Sequence, residues 1–171
     1  KACQAIRKQY NKDYVSLMPT NLYGSFDNFD LQSSHVLPSM LHKFHDAKIN
    51  KHSDVILWGS GTPMREFLFV DDMANAVVYA LENKLPEYLY NVGSGQDITI
   101  KELAETIQKI TGHQGKILWD VSKPDGTPRK LMDVSKMKEL GWEYSTELEE
   151  GIEKTYQWFL ENIKNLKEIK L

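Results

Sequence analysis

The chain has 171 residues, 41% of them hydrophobic and 26% charged, with a formal net charge of −3. That suits one globular domain with a sizeable core and gives no electrostatic ground for nucleic acid as a main partner. A single cysteine excludes an intrachain disulfide framework and a clustered thiolate zinc site.

Residues 1–11 read as a helix, with Ala2, Ile6 and Tyr10 at helical spacing and Asn11 as the stop. No capping residue precedes it and no methionine opens the chain, so the stretch reads as cut from a larger protein. Residues 13–18 (DYVSLM) read as a short buried strand. Residues 19–34 form a long loop rich in turn formers, and its aromatics Tyr23, Phe26 and Phe29 argue for order. A helix is expected over 35–47 with Leu37, Leu41 and Phe44 on one face. Strands at 54–58 and 65–70 surround a tight loop. A helix over 70–83 follows, with Asp71 or Asp72 capping its first turn.

Residues 88–92 read as a strand that runs into a glycine turn. Thr99 and Glu102 make a capping box for a helix that Gly112 closes. Residues 116–120 are another strand, followed by a basic loop over 122–130. A short helix runs from Asp133 to Gly141. Thr146 with Glu149 reads as a second capping box, opening a long helix with Leu148, Ile152, Tyr156, Phe159 and Ile163 inward. The Lys-rich tail after Asn162 reads as a solvated helix end. Alternating strands and helices imply an α/β architecture. No apolar run reaches membrane-spanning length, and the cysteine usage fits an intracellular, cytoplasmic setting.

The most chemically suggestive stretch is 58–72, WGSGTPMREFLFVDD. Gly59 and Gly61 allow close approach of a ligand to the backbone, and Pro63 stiffens the loop exit. Arg65 offers a bidentate guanidinium for phosphate or carboxylate, and Trp58 a flat face for stacking. Read alone, the same residues fit a structural hairpin with a surface arginine and a half-buried tryptophan equally well. Asn21 follows a strand at the carboxyl end, where α/β sheets bind ligands. His35 stands at a helix start, where an imidazole can serve as acid or base, although a lone histidine there is more often structural. Lys123, Arg129 and Lys130 surround a Pro-Gly turn suited to an anion, although such loops are usually only solvated. Cys3, without an acid-base partner nearby, reads as buried and inert. Neither a Gly-rich dinucleotide fingerprint nor a Tyr-x-x-x-Lys pair occurs in the sequence.

Taken together, MPTNLYG (18–24), DNF (27–29), SSHVLP (33–38), WGSGTPMREFLFVDDMA (58–74), NVGSG (91–95), SKPDGTPRKLMD (122–133) and TYQWFLEN (155–162) resemble the GDP-L-fucose synthases. These are the GDP-4-keto-6-deoxy-D-mannose 3,5-epimerase/4-reductases of the extended short-chain dehydrogenase/reductase group. The resemblance covers nearly the whole chain. It implies a C-terminal substrate domain plus the last elements of an NAD(P)-binding Rossmann fold. Residues 1–34 and 71–98 would be the Rossmann remnant, and 35–70 and 99–171 the GDP-sugar domain. It further implies NADP(H) as cofactor and a homodimer in the full-length protein, with no nucleic acid or membrane partner.

By the same resemblance Pro19, Thr20, Asn21 and Leu22 line the nicotinamide side, with His35 close to both cofactor and sugar. His35 matches the catalytic acid-base histidine. Trp58 and Arg65 match positions that hold the GDP moiety. Lys43 and Lys116 match substrate-binding positions where relatives carry arginine, so the charge is kept and the bidentate fork is lost. Lys130 matches a basic position facing the pyrophosphate. The Gly-rich fingerprint, the catalytic serine, the tyrosine-lysine pair and the acid-base cysteine of the family would lie upstream of residue 1. The 171 residues alone are therefore expected to lack reductase activity. The alternatives are another nucleotide-sugar epimerase, reductase or dehydratase, or a non-catalytic binding module.

Overall fold

The computed structural model describes residues 1–51 and 54–166. Among the described residues, six α-helices alternate with eight short strands. Strand β1 (Ser16–Pro19) runs parallel to β5 (Leu89–Val92). Strand β2 (Asn21–Tyr23) runs parallel to β4 (Met64–Phe69). The latter also takes β6 (Asp97–Thr99) antiparallel and β8 (Arg129–Lys130) parallel. Strand β3 (Asp54–Trp58) pairs in parallel with β7 (Lys116–Asp120). The helices are α1 (Ala2–Tyr10), α2 (Val36–Ile49), α3 (Val70–Glu82), α4 (Ile100–Thr111), α5 (Ser135–Glu139) and α6 (Leu148–Asn162). The dominance of parallel pairs with helical connections is the α/β architecture the alternation implies. No described helix is long and apolar enough to cross a membrane.

Two buried clusters hold these elements. The larger joins Leu37, Leu41 and Phe44 of α2 to Leu103 and Ile107 of α4 and to Ile152 and Phe159 of α6. The smaller gathers Leu68, Ala76, Tyr90, Val92, Met137 and Trp142. Successive side chains of a strand point to opposite faces, so β4 sends Phe67 and Phe69 into the larger cluster and Leu68 into the smaller. That strand is a shared wall. Each cluster draws on distant parts of the chain. Tyr23 and Phe29 pack in the larger cluster, whereas Met137 and Trp142 of the later chain join β5 in the smaller.

The first capping box is present. The Thr99 N–H donates to Glu102 Oε2 at 2.8 Å, the Glu102 N–H donates to Thr99 Oγ1 at 3.0 Å, and Gly112 closes α4 at φ 73°. The second is not. Helix α6 begins at Leu148, and its N-cap Glu147 makes no side-chain cap bond. Asp72 acts there instead, although the sequence reading gave it or Asp71 to the first turn of α3. It is 4% exposed. Its carboxylate accepts from the Ser145 N–H and Oγ at 2.9 and 2.8 Å and from the Thr146 N–H at 3.1 Å. A buried carboxylate needs such donors, and the turn before α6 supplies three.

Three further expectations change. The long loop over 19–34 contains β2, because pairing with β4 buries Tyr23 to 2% exposure. Helix α1 buries none of its residues, and Cys3 on it is half-exposed rather than buried. The Lys-rich tail beyond residue 166 lies outside the described residues.

Candidate active site and nucleotide groove

A cavity of about 700 Å³ opens between residues 20–27 and the start of α2, and Thr20, Asn21, Leu22 and His35 all line it. Pro19 ends β1 one residue short of this wall. The wall is fixed through the backbone. The Thr20 N–H donates to Val92 O at 3.0 Å. The Asn21 Nδ2 and Thr20 Oγ1 both donate to Glu66 O, at 2.7 and 3.2 Å. Asn21 thus uses its amide to tie β2 to β4.

His35 is the N-cap of α2, with an extended backbone and no side-chain bond to the helix. Its imidazole is therefore not consumed by capping. Asp27 lines the same cavity. Burial pushes its carboxyl above the ordinary range, opposed by the Asn28 N–H at 2.7 Å and by the neighbouring His35. An imidazole and a carboxyl beside one apolar wall suit proton transfer on a small, partly apolar ligand. Phe26, at the rim, has φ 65° and is 88% exposed. A left-handed backbone costs an L-residue roughly 1–2 kcal/mol.

From His35, α2 runs two turns to Lys43, a rise of about 12 Å at 1.5 Å per residue. There the Lys43 Nζ lies 5.7 Å from the centroid of the Trp58 ring and the Lys123 Nζ lies 5.6 Å from it. Trp58 is 68% exposed, so it is an open platform rather than a half-buried core residue. Burial pulls the Lys43 ammonium pKa below the ordinary lysine range. The loop bearing Lys123 is latched in place: Ser60 N–H and Oγ donate to Asp125 Oδ1 and Oδ2 at 2.8 and 2.6 Å. These bonds hold the Asp125 carboxyl below its ordinary range.

Gly59 and Gly61 are required by backbone conformation and packing. Both have left-handed φ, 81° and 77°. The Asp125 carboxylate fills the space of a Gly59 Cβ, and a Cβ at Gly61 would lie 2.8 Å from the Trp119 ring. Arg65 and Lys130 are register partners on β4 and β8, which brings two cations together. Arg65 donates to Met64 O at 2.6 Å. Arg129, next to Lys130, is instead committed to Asp97 through bonds of 2.6 and 3.1 Å.

The sequence profile of the NAD dependent epimerase/dehydratase family matches residues 1–93, more than half of the chain. The chain belongs to that family. It is 52% identical over 167 residues to the probable GDP-L-fucose synthase 1 of Oryza sativa, covering 98% of this chain and 51% of the relative. It is 53% identical over 171 residues to the GDP-L-fucose synthase of Escherichia coli, covering 95% of this chain and 53% of the relative. The chain thus spans about half the length of the curated relatives it matches. A crystal structure of a GDP-L-fucose synthetase from Naegleria fowleri bound to NADP superposes with a TM-score of 0.86 at 31% identity. That match covers 96% of this chain and 52% of the other.

Within the family's matched span fall residues 19–22, His35, Lys43, Trp58 and Arg65; Lys116, Lys123 and Lys130 lie beyond it. Lys116 stands apart from Trp58. It pairs with Asp54 at the start of the β3–β7 ladder, whereas Trp58 pairs with Asp120 at the end. Four residues of strand separate the two by about 13 Å. Lys116 lines a separate depression of about 460 Å³ with Lys48 and His113.

Glu66 escaped the sequence reading. It is fully buried on β4. Its side chain accepts from Gly95 N–H at 2.7 Å and from Met132 N–H at 3.0 Å. It therefore pins the glycine turn after β5 and the chain after β8 to the strand that carries Arg65. The available signal was a carboxylate inside the apolar run EFLF, since buried charge requires partners.

Proposed function

We propose that this chain is the C-terminal, substrate-holding part of an NADPH-dependent GDP-L-fucose synthase. The full-length enzyme would convert GDP-4-keto-6-deoxy-D-mannose to GDP-L-fucose by 3,5-epimerisation and 4-reduction. The observation that carries this reading is the line along α2. That helix carries His35 at the acid-base cavity and, a rise of about 12 Å further along, Lys43, whose ammonium lies over an exposed tryptophan that Lys123 also covers. That spacing suits a ligand with a reactive sugar at one end, a purine at the other and a diphosphate between them. Arg65 and Lys130, adjacent on β4 and β8, are the cations for the diphosphate. The close curated relatives bearing the GDP-L-fucose synthase name support the same assignment.

The chemistry follows from the C4 ketone, which acidifies the protons at C3 and C5. His35 exchanges a proton with one face of the sugar, acting from a position where its ring nitrogens are not used for capping. Thr20 and Asn21, locked onto Glu66, and the apolar Leu22 offer a flat, rigid wall that fits a nicotinamide ring. When bound, the cofactor supplies the hydride for reduction at C4. The full-length enzyme is taken to act as a cytoplasmic homodimer, on the strength of the family resemblance.

The test is a comparison of nucleotides and of chain lengths. GDP should bind this chain more tightly than UDP or dTDP by titration calorimetry. NADPH with GDP-4-keto-6-deoxy-D-mannose should be turned over by the full-length protein and not by the 171 residues alone. Preference for UDP or dTDP would make it a different nucleotide-sugar enzyme, and an inactive full-length protein would leave a binding module.

A further inference from the structure

Phe26 combines features that are unfavourable to the fold taken alone. Its backbone sits at φ 65°, a conformation that bulky L-residues rarely adopt. Its side chain is 88% exposed, so little hydrophobic burial offsets that strain. Residues held in sparse backbone regions cluster at ligand clamps and active sites, where the surroundings over-determine them. Phe26 lines the same cavity as His35.

One neighbour holds its ring in place. The Phe26 ring rests against Trp158 of α6, with centroids 5.1 Å apart and planes tilted 57°. Trp158 is itself stacked on the buried Phe29 ring at 5.9 Å and 23°, and Phe29 packs on the buried Phe159 at 5.0 Å. An aromatic column thus rises from the larger core to the rim of the cavity, and Phe26 is its exposed end.

We infer that Phe26 is a substrate-positioning residue, an aromatic wall for the apolar face of the sugar ring held beside His35. Carbon-bound hydrogens of a sugar, including those of a 6-deoxy methyl group, meet the negative face of an aromatic ring favourably. A wall there limits how the ring tilts at the imidazole, and tilt decides which carbon presents its proton. The inference rests on the proposed GDP-sugar reading and adds the residue that orients the sugar rather than the nucleotide.

The experiment uses the full-length enzyme with three side chains at this position. Phe26→Asn keeps the left-handed backbone with a residue that adopts it readily but removes the wall. It should raise the KM for GDP-4-keto-6-deoxy-D-mannose roughly tenfold, as expected for losing the apolar contact of one aromatic face. The KM for NADPH, the affinity for GDP alone and the melting temperature should stay at wild-type values or, for the last, rise. Phe26→Tyr should restore the wild-type sugar KM. An unchanged sugar KM in Phe26→Asn overturns the inference, as does a rise confined to NADPH. A fall in melting temperature with all kinetic constants intact overturns it too, since Phe26 would then be only a prop for Trp158. Absence of turnover in the wild-type enzyme would instead overturn the GDP-L-fucose synthase reading and this inference with it.

Discussion

Around His35 the cavity wall is anchored on main-chain carbonyls of neighbouring strands: the Thr20 N–H bonds Val92 O, and the Thr20 and Asn21 side chains bond Glu66 O. Around Trp58 the contacts come from side chains at the surface: Lys43, Lys123 and the exposed Ser60–Asp125 latch. In the first region, Thr20 and Asn21 cannot move without disturbing their bonds to β4 and β5. The second can rearrange by side-chain rotation at little cost. Proton transfer needs its partners held to within tenths of an ångström, whereas stacking and diphosphate capture tolerate adjustment. On the proposed function, the difference in construction follows the difference in task.

Glu66 pins the chain after β5 and after β8 onto β4, and its loss should have the largest effect. Glu66→Ala leaves the Gly95 and Met132 N–H groups without their buried acceptor, which should cost about 3 kcal/mol of stability. Urea unfolding checks this, and a loss well under 1 kcal/mol would mean that water replaces the carboxylate. Arg65→Ala removes charge-assisted bonds worth about 2 kcal/mol, so GDP affinity should fall roughly 30-fold. Unfolding of that variant should match the wild type, because the recognition end contributes little to the fold.

Next in size is a pH effect at Lys43. Burial lowers its pKa, so its charge is complete below that folded value and is lost as pH rises through it, earlier than for an ordinary lysine. GDP affinity should therefore begin to decline on the alkaline side before the usual lysine range is reached. In Lys43→Arg the decline should shift to higher pH, since a guanidinium stays charged. Smallest is the latch. The Asp125 pKa is depressed by Ser60, so the latch is full above the ordinary carboxylate range and released as pH falls through the folded value. Ser60→Ala should speed amide exchange in residues 122–128 at neutral pH and leave the melting temperature unmoved.

Most of the secondary structure was legible because its signals are local. Thr99 and Glu102 lie three residues apart and cap the helix they announce. Leu37, Leu41 and Phe44 mark the inner face of α2 in the sequence itself. What was not legible depends on partners far along the chain. Asp72 caps a turn 73 residues away. The segment 21–23 becomes a strand only because β4 lies beside it. The site divides the same way. His35, Lys43, Trp58 and Arg65 stand out by residue type and resemblance. By contrast, the burial of Glu66, the strain at Phe26 and the remoteness of Lys116 come only from the folded arrangement.

The central claim is that one groove has a nucleotide end at Trp58 and a reactive end at His35. Titrating GDP into the wild type, Trp58→Ala and His35→Asn tests it most directly. The account predicts roughly tenfold weaker binding for Trp58→Ala, from the loss of base stacking, and unchanged binding for His35→Asn. Equal losses in both variants, or none in Trp58→Ala, would contradict it.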